Sequence, residues 1–176
     1  MAAILILIAL LLVISGCGAN NSTDDTTEAI SLNQVGEYSG VPYVYLNNNM
    51  PYFTDEEKEN TKPFENYSSL DDLGRCGVAF ANIYKELMPT EERGPIGQIK
   101  PSGWHTVKYN GIIDGNYLYN RCHLIGYQLT GENANELNLI TGTRYLNTEG
   151  MEGFENTVGD YVAEMENHVV WEDTKL

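Results

Sequence analysis

Histidine, cysteine and basic residues are scarce in this sequence of 176 residues. Three histidines nearly exclude a site built from several imidazole groups. Three cysteines are too few for a disulfide-rich scaffold, and their spacing contains no CxxC pair that would predict a zinc site. Ten Lys and Arg residues face 25 Asp and Glu residues, which gives a net charge of −15 at pH 7. That balance excludes a surface that is basic throughout, although it is compatible with a local basic site.

The rest of the composition is that of an ordinary globular protein. Hydrophobic residues make up 42% of the chain and charged residues 20%, so there is enough apolar material for a hydrophobic core. A length of 176 residues favours one folded domain rather than two. The composition therefore predicts a single domain with a core of its own.

The first segment has the pattern of an export signal. Residues 2–14 form an unbroken run of small and apolar residues. As a helix this run would span about 20 Å, which is less than the roughly 30 Å of a bilayer core. It has the length of the apolar region of a signal peptide. The residues that follow, Ser15, Gly16 and Cys17, complete a sequence that resembles the lipobox of bacterial lipoproteins. That resemblance implies that Cys17 is lipidated and becomes the new N-terminus.

The chain therefore divides into three predicted parts. Residues 1–17 are a lipoprotein-type signal peptide that ends at Cys17, residues 18–31 are a small, polar, flexible linker, and residues 32–176 are the folded domain. We expect a lipid anchor that holds the protein at the extracellular face of the cell membrane. Because no Lys or Arg precedes Lys58, two alternatives stay open. One is the cleaved signal peptide of a secreted protein, and the other is a buried N-terminal helix.

Sequence patterns along the domain predict a mixed α+β fold. Thr54, followed three residues later by Glu57, indicates a helix that begins with a capping box. Apolar residues in steps of three and four predict a long amphipathic helix over residues 148–169. Its predicted buried stripe consists of Met151, Phe154, Val158, Tyr161, Val162, Met165 and Val169. Strands are predicted at Val41–Leu46 and Cys76–Ile83, and a hairpin is predicted to pair Trp104–Tyr109 with Tyr117–Cys122.

Basic residues are concentrated in the middle of the chain. Between Arg75 and Arg144 there are seven basic and six acidic residues, so this stretch has a net charge of +1. It is the only part of the sequence that could face a polyanion without long-range repulsion. The alternative of equal weight is that exported proteins are often acidic and that this distribution arose by chance.

The segment from Tyr117 to Tyr127 brings two groups together that suit a phosphodiester. Arg121 and His123 are two residues apart at the end of a predicted strand, and such residues share a face. A guanidinium group offers several donors to phosphate oxygens. A neutral imidazole can take a proton from water near neutral pH, and a neighbouring cation lowers its pKa. The pair therefore points to general-base attack by water on a phosphate ester.

Asn147 and Glu155 add oxygen ligands at the start of the predicted long helix. The side-chain oxygen of Asn147 is a hard, neutral donor that suits Mg²⁺. Glu155 lies about 12 Å further along an ideal helix and about 80° around it. Both side chains would not easily touch one ion, so we expect Glu155 to reach the metal through a bound water. Asn147 as a simple helix cap is the competing interpretation.

Together these residues resemble the DNA/RNA non-specific endonuclease family, whose core is the ββα-metal, or His-Me finger, motif. The similarity is strongest over YLYNRCHLIGYQLTGENANELNLITGTRYLN, which runs from Tyr117 to Asn147, and it resembles the exported streptococcal-type members most. Gly74-Arg75-Cys76-Gly77 and Pro101-Ser102-Gly103-Trp104 also resemble family segments. The resemblance implies a β-hairpin followed by a long helix, on a small antiparallel sheet.

The resemblance also implies roles for individual residues. His123 matches the general base, and Asn147 matches the single protein ligand of a catalytic Mg²⁺, for which Mn²⁺ would substitute. Glu155 matches the acidic residue that reaches the metal through water, and Arg121 matches the arginine near the scissile phosphate. Asn138 matches a structural asparagine, and Arg144 is a candidate phosphate contact. The implied reaction is hydrolysis of DNA and RNA to 5′-phosphate products with little sequence specificity, and no obligate protein partner is inferred.

Two departures from the family pattern leave alternatives open. The motif reads Asn120-Arg121-Cys122-His123, where Asp-Arg-Gly-His is the better-known version. Family members usually continue past the long helix with further strands, so we expect a domain that is short at its C-terminal end. An inactive, truncated homologue that at most binds nucleic acid is therefore the alternative to an active nuclease. A lipoprotein with a binding or structural role, whose motif is coincidental, is a third. A Cys76–Cys122 disulfide is also left open.

Overall fold

The structure is a computed structural model, and it describes residues 32–165 and 167–173. The predicted signal peptide, Cys17 and the linker lie outside the described residues. Within them the chain forms three α-helices and five strands. The helices are α1 (Asp55–Glu59), α2 (Tyr127–Thr130) and α3 (Glu152–Met165), and a π-helical turn at Leu146–Met151 directly precedes α3. The strands are β1 (Phe64–Tyr67), β2 (Ala79–Ile83), β3 (Tyr119–His123), β4 (Leu139–Thr143) and β5 (Val169–Asp173).

The strands form two small antiparallel sheets. The first has the order β1-β2-β5, and Ala81 at its centre lies opposite Glu65 on one side and Trp171 on the other. The second consists of β3 and β4, with Tyr119 opposite Thr143 and His123 opposite Leu139. The hairpin β3–β4 leads into α3, which confirms the α+β class and the order of hairpin, then long helix.

The hydrophobic core lies between the three-stranded sheet and the helices. β2 contributes Ala79, Ala81 and Ile83, the segment after β3 and α2 contribute Leu124, Ile125 and Leu129, and α3 contributes Val162. β2 is buried because it is the central strand of its sheet. Trp171 of β5 packs against this core, and its indole N–H donates to the Leu124 carbonyl at 3.2 Å.

Two of the predicted elements are observed near their expected positions. α1 begins after Thr54, whose hydroxyl accepts from the Glu57 N–H at 3.2 Å while the Glu57 carboxylate accepts from the Thr54 N–H at 2.7 Å. The buried strand expected at Cys76–Ile83 is β2, which covers the second part of that range.

The predicted hairpin of Trp104–Tyr109 with Tyr117–Cys122 is confirmed only over a short stretch, where the Leu118 N–H donates to the Val107 carbonyl at 3.2 Å. These segments make a single bridge, between Lys108 and Tyr117. β3 instead pairs along its whole length with β4, and the Leu118 carbonyl accepts from the Arg144 N–H at 2.7 Å. Local turn signals favoured the nearer partner, but the longer ladder forms with a strand beyond α2.

The strand predicted at Val41–Leu46 is wrong, because these residues join neither described sheet. The segment ends in three consecutive asparagines, Asn47–Asn49, with positive φ angles. It packs on the outside of the helical region, where Pro42 meets Gly150 and the ring of Tyr43 lies 5.1 Å from that of Phe154. The β-like pattern thus reflects packing on a helix and not strand pairing.

The long helix is shorter than predicted, and its buried face differs in part. α3 ends at Met165, and Val169 begins β5. Val162 of the predicted stripe is fully buried and Val158 packs against the core, as predicted, but Phe154 and Met165 are 44% and 63% exposed. The other buried residues of α3 are Glu155 and Gly159. The stripe prediction fails in part because hydropathy ranks a carboxylate and a glycine as surface residues. In the described residues no helix is both long and apolar enough to cross a membrane.

Cys76 and Cys122 are both buried, and they are not joined to each other by a disulfide. Cys76 donates to the Leu139 carbonyl at 3.3 Å, and Cys122 lies against Gly142 of the neighbouring strand. Burial raises the pKa of Cys122 to about 12, so this thiol stays protonated. The two cysteines therefore pack as small apolar residues and do not form a disulfide.

Candidate active site

Two adjoining clefts lie where β3, the π-helical turn and the start of α3 meet. The smaller one, the His123 cleft, has a volume of about 110 Å³. Its lining residues are Arg93, His123, Gly126, Tyr127, Gln128, Asn147, Glu152 and Glu155. The larger one, the aromatic cleft, has a volume of about 470 Å³ and is lined by Arg93, Ile96, Trp104, Thr106, Tyr117, Tyr119, Asn120, Arg121 and Asn147. Arg93 and Asn147 line both clefts, so the two are contiguous.

The position of His123 is held by the chain that follows β3. The Leu124 N–H donates to the Asn138 carbonyl at 3.0 Å. The side-chain amide of Asn138 then accepts from the Ile125 N–H at 2.9 Å and donates to the Ile125 carbonyl at 3.0 Å. Through these two hydrogen bonds the fully buried side chain of Asn138 pairs with Ile125 as a neighbouring strand would, and it thereby extends the β3–β4 pairing. This agrees with a structural role for Asn138.

Replacing Asn138 with alanine should lower the free energy of unfolding by roughly 2–4 kcal/mol. The change leaves the N–H and the carbonyl of Ile125 buried without partners, and each unsatisfied buried group costs about 1–3 kcal/mol. Urea unfolding followed by circular dichroism measures the effect. The matched control is Asn110→Ala, which alters an exposed asparagine in a turn. Equal losses in the two variants would contradict the role given to Asn138.

One nitrogen of His123 is fixed by the backbone, and the other faces the cleft. Nε2 lies 2.8 Å from the Asn133 carbonyl oxygen, which can only accept, so Nε2 carries the hydrogen in the neutral ring. Nδ1 therefore holds the lone pair, which accepts a long hydrogen bond from the Arg93 guanidinium. His123 is only 5% exposed, and its burial lowers its pKa below the ordinary value. The geometry leaves an oriented, neutral base at neutral pH.

Arg93 is the cation nearest to this base. Its Nη2 lies 3.5 Å from His123 Nδ1, and its charge also lowers the pKa of His123. Arg93 lies in the turn-rich segment before residue 96. This segment is held against α2 by a hydrogen bond in which the Tyr127 hydroxyl donates to the Glu91 carbonyl at 2.7 Å. A guanidinium in this position can contact the oxygens of a phosphate that lies beside His123.

The π-helical turn brings Asn147 and Glu155 to the same cleft. Its wider backbone turn, in which the Glu152 N–H donates to the Asn147 carbonyl, changes the angular relation that an ideal α-helix would impose. The Glu155 carboxylate is buried and accepts from the Gln128 amide at 3.0 Å. Burial raises the pKa of Glu155, and the Gln128 hydrogen bond opposes this shift. A buried carboxylate with this environment is stabilised by a cation.

Gly126 is required for the Glu155 carboxylate to lie where it does. A Cβ atom at residue 126 would come within 2.8 Å of the carboxylate and 2.7 Å of the Gln128 side-chain oxygen. Both are the ends of flexible side chains. The backbone angles of Gly126, φ −56° and ψ 144°, are open to any residue. An added methyl group would therefore move the carboxylate and leave the fold intact.

Replacing Gly126 with alanine should reduce by about 10–100-fold any hydrolysis that the His123 cleft performs, as expected when a group that orients a metal site is displaced. The free energy of unfolding should change by less than about 1 kcal/mol, because the backbone is not strained. Initial rates of hydrolysis and thermal unfolding measure the two effects. The control is Gly153→Ala, because no atom lies within 4 Å of a Cβ at that helical position. Unchanged hydrolysis by Gly126→Ala would argue against a role for the Glu155 carboxylate.

The His123 cleft has the donors of a hydrated metal site rather than of a protein cage. Among the described residues no group of three or more His, Cys, Asp or Glu side chains could hold a metal ion. The cleft offers the amide oxygen of Asn147 and the carboxylates of Glu152 and Glu155. Its volume is enough for about three or four waters at roughly 30 Å³ each. This set fits Mg²⁺, which keeps several waters and prefers oxygen ligands.

The structure places the two predicted phosphate-binding arginines outside the His123 cleft. Arg121 lines the aromatic cleft, where it donates to the carbonyls of Gly97 and Ile99 and its guanidinium lies 3.8 Å from the ring centre of Trp104. Arg144 is paired with Asp114 at 3.4 Å and lines neither cleft. Two further residues of the His123 cleft, Arg93 and Gln128, were not predicted from the sequence. Neither carries a local signal, since each reaches the site through tertiary contacts.

Comparisons with known proteins identify the family and the fold of the chain. A family model described as DNA/RNA non-specific endonuclease matches residues 53–173. No curated protein matches the chain. The solved structure of NucA from Streptococcus agalactiae with magnesium bound has a TM-score of 0.58 at 24% identity, over 66% of this chain and 58% of that one. NucA with no metal bound has a TM-score of 0.64 at 24% identity, over 82% and 69% of the two chains.

A third similar structure is Sda1 nuclease with a bound zinc ion. Its TM-score is 0.51 at 25% identity, over 64% of this chain and 61% of that one. The chain thus spans between 58% and 69% of the length of these three structures. The two NucA comparisons show a shared fold.

Proposed function

Since the chain belongs to the DNA/RNA non-specific endonuclease family, we propose that it is a metal-dependent endonuclease that hydrolyses phosphodiester bonds of DNA and RNA. The observation that carries this proposal is the state of His123. Its Nε2–H is engaged by the Asn133 carbonyl, and its Nδ1 lone pair lies in a cleft with Arg93, Asn147 and Glu155. A fixed neutral base beside a cation and oxygen ligands suits hydrolysis of a phosphodiester.

The residues of the chain have separate tasks in this reaction. His123 Nδ1 accepts a proton from water, and the resulting hydroxide attacks phosphorus in line with the leaving 3′-oxygen. Arg93 lies beside the base and stabilises the negative charge on the phosphate oxygens. Cleavage of the P–O3′ bond leaves a 5′-phosphate. No group in the His123 cleft is placed to read base edges, so we expect little sequence specificity.

Asn147 and Glu155 would hold the metal ion, Asn147 directly and Glu155 through water. A divalent ion bound there supplies positive charge that lowers the energy of the transition state and of the leaving oxygen. Solved structures of NucA and Sda1 nuclease hold magnesium and zinc respectively, which supports a divalent ion for this chain. We propose Mg²⁺ because the available donors are oxygens, and Mn²⁺ would substitute for it.

We also propose that the protein is anchored in the membrane through a lipid on Cys17. The support is the apolar run at residues 2–14 and the Ser15-Gly16-Cys17 sequence that follows it. Metabolic labelling with a fatty-acid analogue should mark the wild-type chain and not a Cys17→Ser variant. Equal labelling of both chains would refute lipidation at this residue.

The test of the nuclease proposal is cleavage by the purified chain that begins at residue 18. Plasmid DNA and a long RNA should both be cleaved with Mg²⁺, and EDTA should stop the reaction. Cleavage in EDTA at an equal rate would overturn the metal dependence. A folded, monodisperse chain that binds nucleic acid but does not cleave it would instead establish the inactive-homologue alternative.

A further inference from the structure

The aromatic cleft has features that the hydrolytic reaction does not use. Its volume of about 470 Å³ lies in the roughly 300–1,000 Å³ range of small-molecule sites. The His123 cleft, at about 110 Å³, is well below that range and is too small for a nucleoside. The two clefts share Arg93 and Asn147. A nucleotide whose phosphate lies at His123 would therefore extend its sugar and base into the aromatic cleft.

The chemistry of the aromatic cleft suits a nucleobase. Trp104, Tyr117 and Tyr119 provide three aromatic rings, and Asn120 provides an amide. Aromatic rings stack on any base, since every base has a π face. The cleft contains two arginines and no acidic residue, although the protein as a whole has a net charge of −15. A polyanion is therefore repelled from most of the surface and accepted here.

The aromatic groups are held in place without belonging to the core. Tyr117 is 42% exposed, and the Lys108 ammonium lies 4.9 Å from its ring centre without lining the cleft. Arg121 is fixed by the carbonyls of Gly97 and Ile99, and its guanidinium lies 3.8 Å from the ring centre of Trp104. Guanidinium planes, like aromatic rings, serve as stacking surfaces for unpaired bases. The structure thus presents pre-oriented planar groups at a surface cleft.

We propose that the aromatic cleft is a nucleobase subsite, in which an unpaired base next to the scissile phosphate stacks on Tyr117. This inference deepens the proposed function and rests on it for the position of the phosphate. A base inside a duplex is already stacked on its neighbours and must leave the stack to enter the cleft. The subsite therefore favours single-stranded DNA, RNA and unpaired stretches as substrates.

Binding without cleavage tests the subsite directly. The His123→Ala chain in EDTA is titrated with fluorescein-labelled oligothymidylate and with a labelled chain of equal length and charge made of abasic residues. Oligothymidylate should bind about tenfold more tightly, which is towards the lower end of the loss expected for one stacked base. Equal affinity would overturn the inference. This comparison needs no change in the cleft, so it does not depend on how a cleft variant folds.

Variants then locate the base. Tyr117→Ala should abolish the preference for oligothymidylate, whereas Tyr117→Phe, which keeps the ring, should retain it. The control is Tyr109→Ala, because Tyr109 is 40% exposed and does not line the cleft. A preference that survives in folded Tyr117→Ala would refute stacking on this ring.

The binding titrations, together with a cleavage assay of the wild-type chain, distinguish a failure of the subsite from a failure of the proposed function. A base preference in a wild-type chain that never cleaves nucleic acid would uphold the subsite and refute the nuclease. Cleavage by a chain that does not distinguish bases from abasic residues would do the reverse.

Discussion

Replacing His123 with alanine should reduce DNA cleavage by about 10²–10⁴-fold, the usual contribution of a general base. The alanine variant keeps Arg93, Asn147 and Glu155 but has no group that can take a proton from water at the position of Nδ1. Initial rates of plasmid nicking at saturating Mg²⁺ measure the loss. Imidazole added to the buffer should restore part of the activity, because the missing side chain leaves space for it.

The matched control for this prediction is His168→Ala. His168 is stacked on Tyr84, with ring centres 4.8 Å apart, and it lines neither cleft. Its replacement should leave the cleavage rate within a factor of about two, provided that thermal unfolding shows a folded chain. Equal losses in the two variants would mean that the histidine effect is structural, and full activity of His123→Ala would refute the assignment of the base.

The dependence of cleavage on pH follows from the environment of His123. Burial lowers its pKa below the ordinary 6.5, and Arg93 acts in the same direction, while the hydrogen bond to the Asn133 carbonyl opposes them. Only the neutral ring is a base, so activity is present at neutral pH and is lost as the pH falls through the lowered pKa. The half-maximal pH of kcat/KM should therefore lie below 6.5. A midpoint above 7 would contradict a buried base beside a cation.

Replacing Asn147 with alanine should reduce cleavage by about 10²–10³-fold and raise the Mg²⁺ concentration needed for half-maximal activity. A metal ligand that neutralises transition-state charge contributes several kcal/mol, and each 1.36 kcal/mol corresponds to a factor of ten. Asn147 lies in the π-helical turn that precedes α3, and its side chain offers a neutral oxygen donor to the His123 cleft. Rates over a range of Mg²⁺ concentrations separate lost binding from lost chemistry.

Two further measurements make this test specific. Calorimetric titration with Mn²⁺ reports metal binding without reference to activity, and Asn147→Ala should show little heat where the wild-type chain shows a single site. Asn110→Ala changes an exposed asparagine in a turn and should behave like the wild type in both assays. An Asn147→Ala chain with unchanged Mg²⁺ dependence would remove this residue from the metal site.

Local sequence patterns predicted the parts of this protein that depend on neighbouring residues. The capping box of Thr54 and Glu57 was recognisable because both partners lie within one turn. The His123 motif was recognisable because Arg121 and His123 are only two residues apart. Asn147 was recognisable because it lies where the predicted long helix begins. The class of the fold and the family follow from such patterns, and the family match over residues 53–173 confirms them.

The pairing of β3 and the buried face of α3 depend on packing between distant segments, and the sequence did not predict them fully. Trp104–Tyr109 has a β-like composition, yet it contacts Tyr117 through one bridge, whereas β3 forms its full ladder with residues 139–143, which lie beyond α2 in the chain. The apolar periodicity of α3 predicted that Phe154 is buried. In the structure Glu155 is the buried residue and faces the His123 cleft, whereas Phe154 packs against Tyr43 at the surface. Apolar periodicity shows which face of a helix is hydrophobic, but it does not show which segment packs against that face.

The sequence by itself therefore determined which chemical groups are available: a histidine, an arginine, an asparagine and a glutamate in a family-specific order, in a chain whose three histidines nearly exclude a site built from several imidazoles. Only the tertiary structure decided how these groups are used. It supplied Arg93, 30 residues before His123, as the cation beside the base, and it engaged Arg121 with backbone carbonyls and Trp104. The physical reason is that the direction of a side chain depends on contacts between distant segments, and local sequence does not encode those contacts.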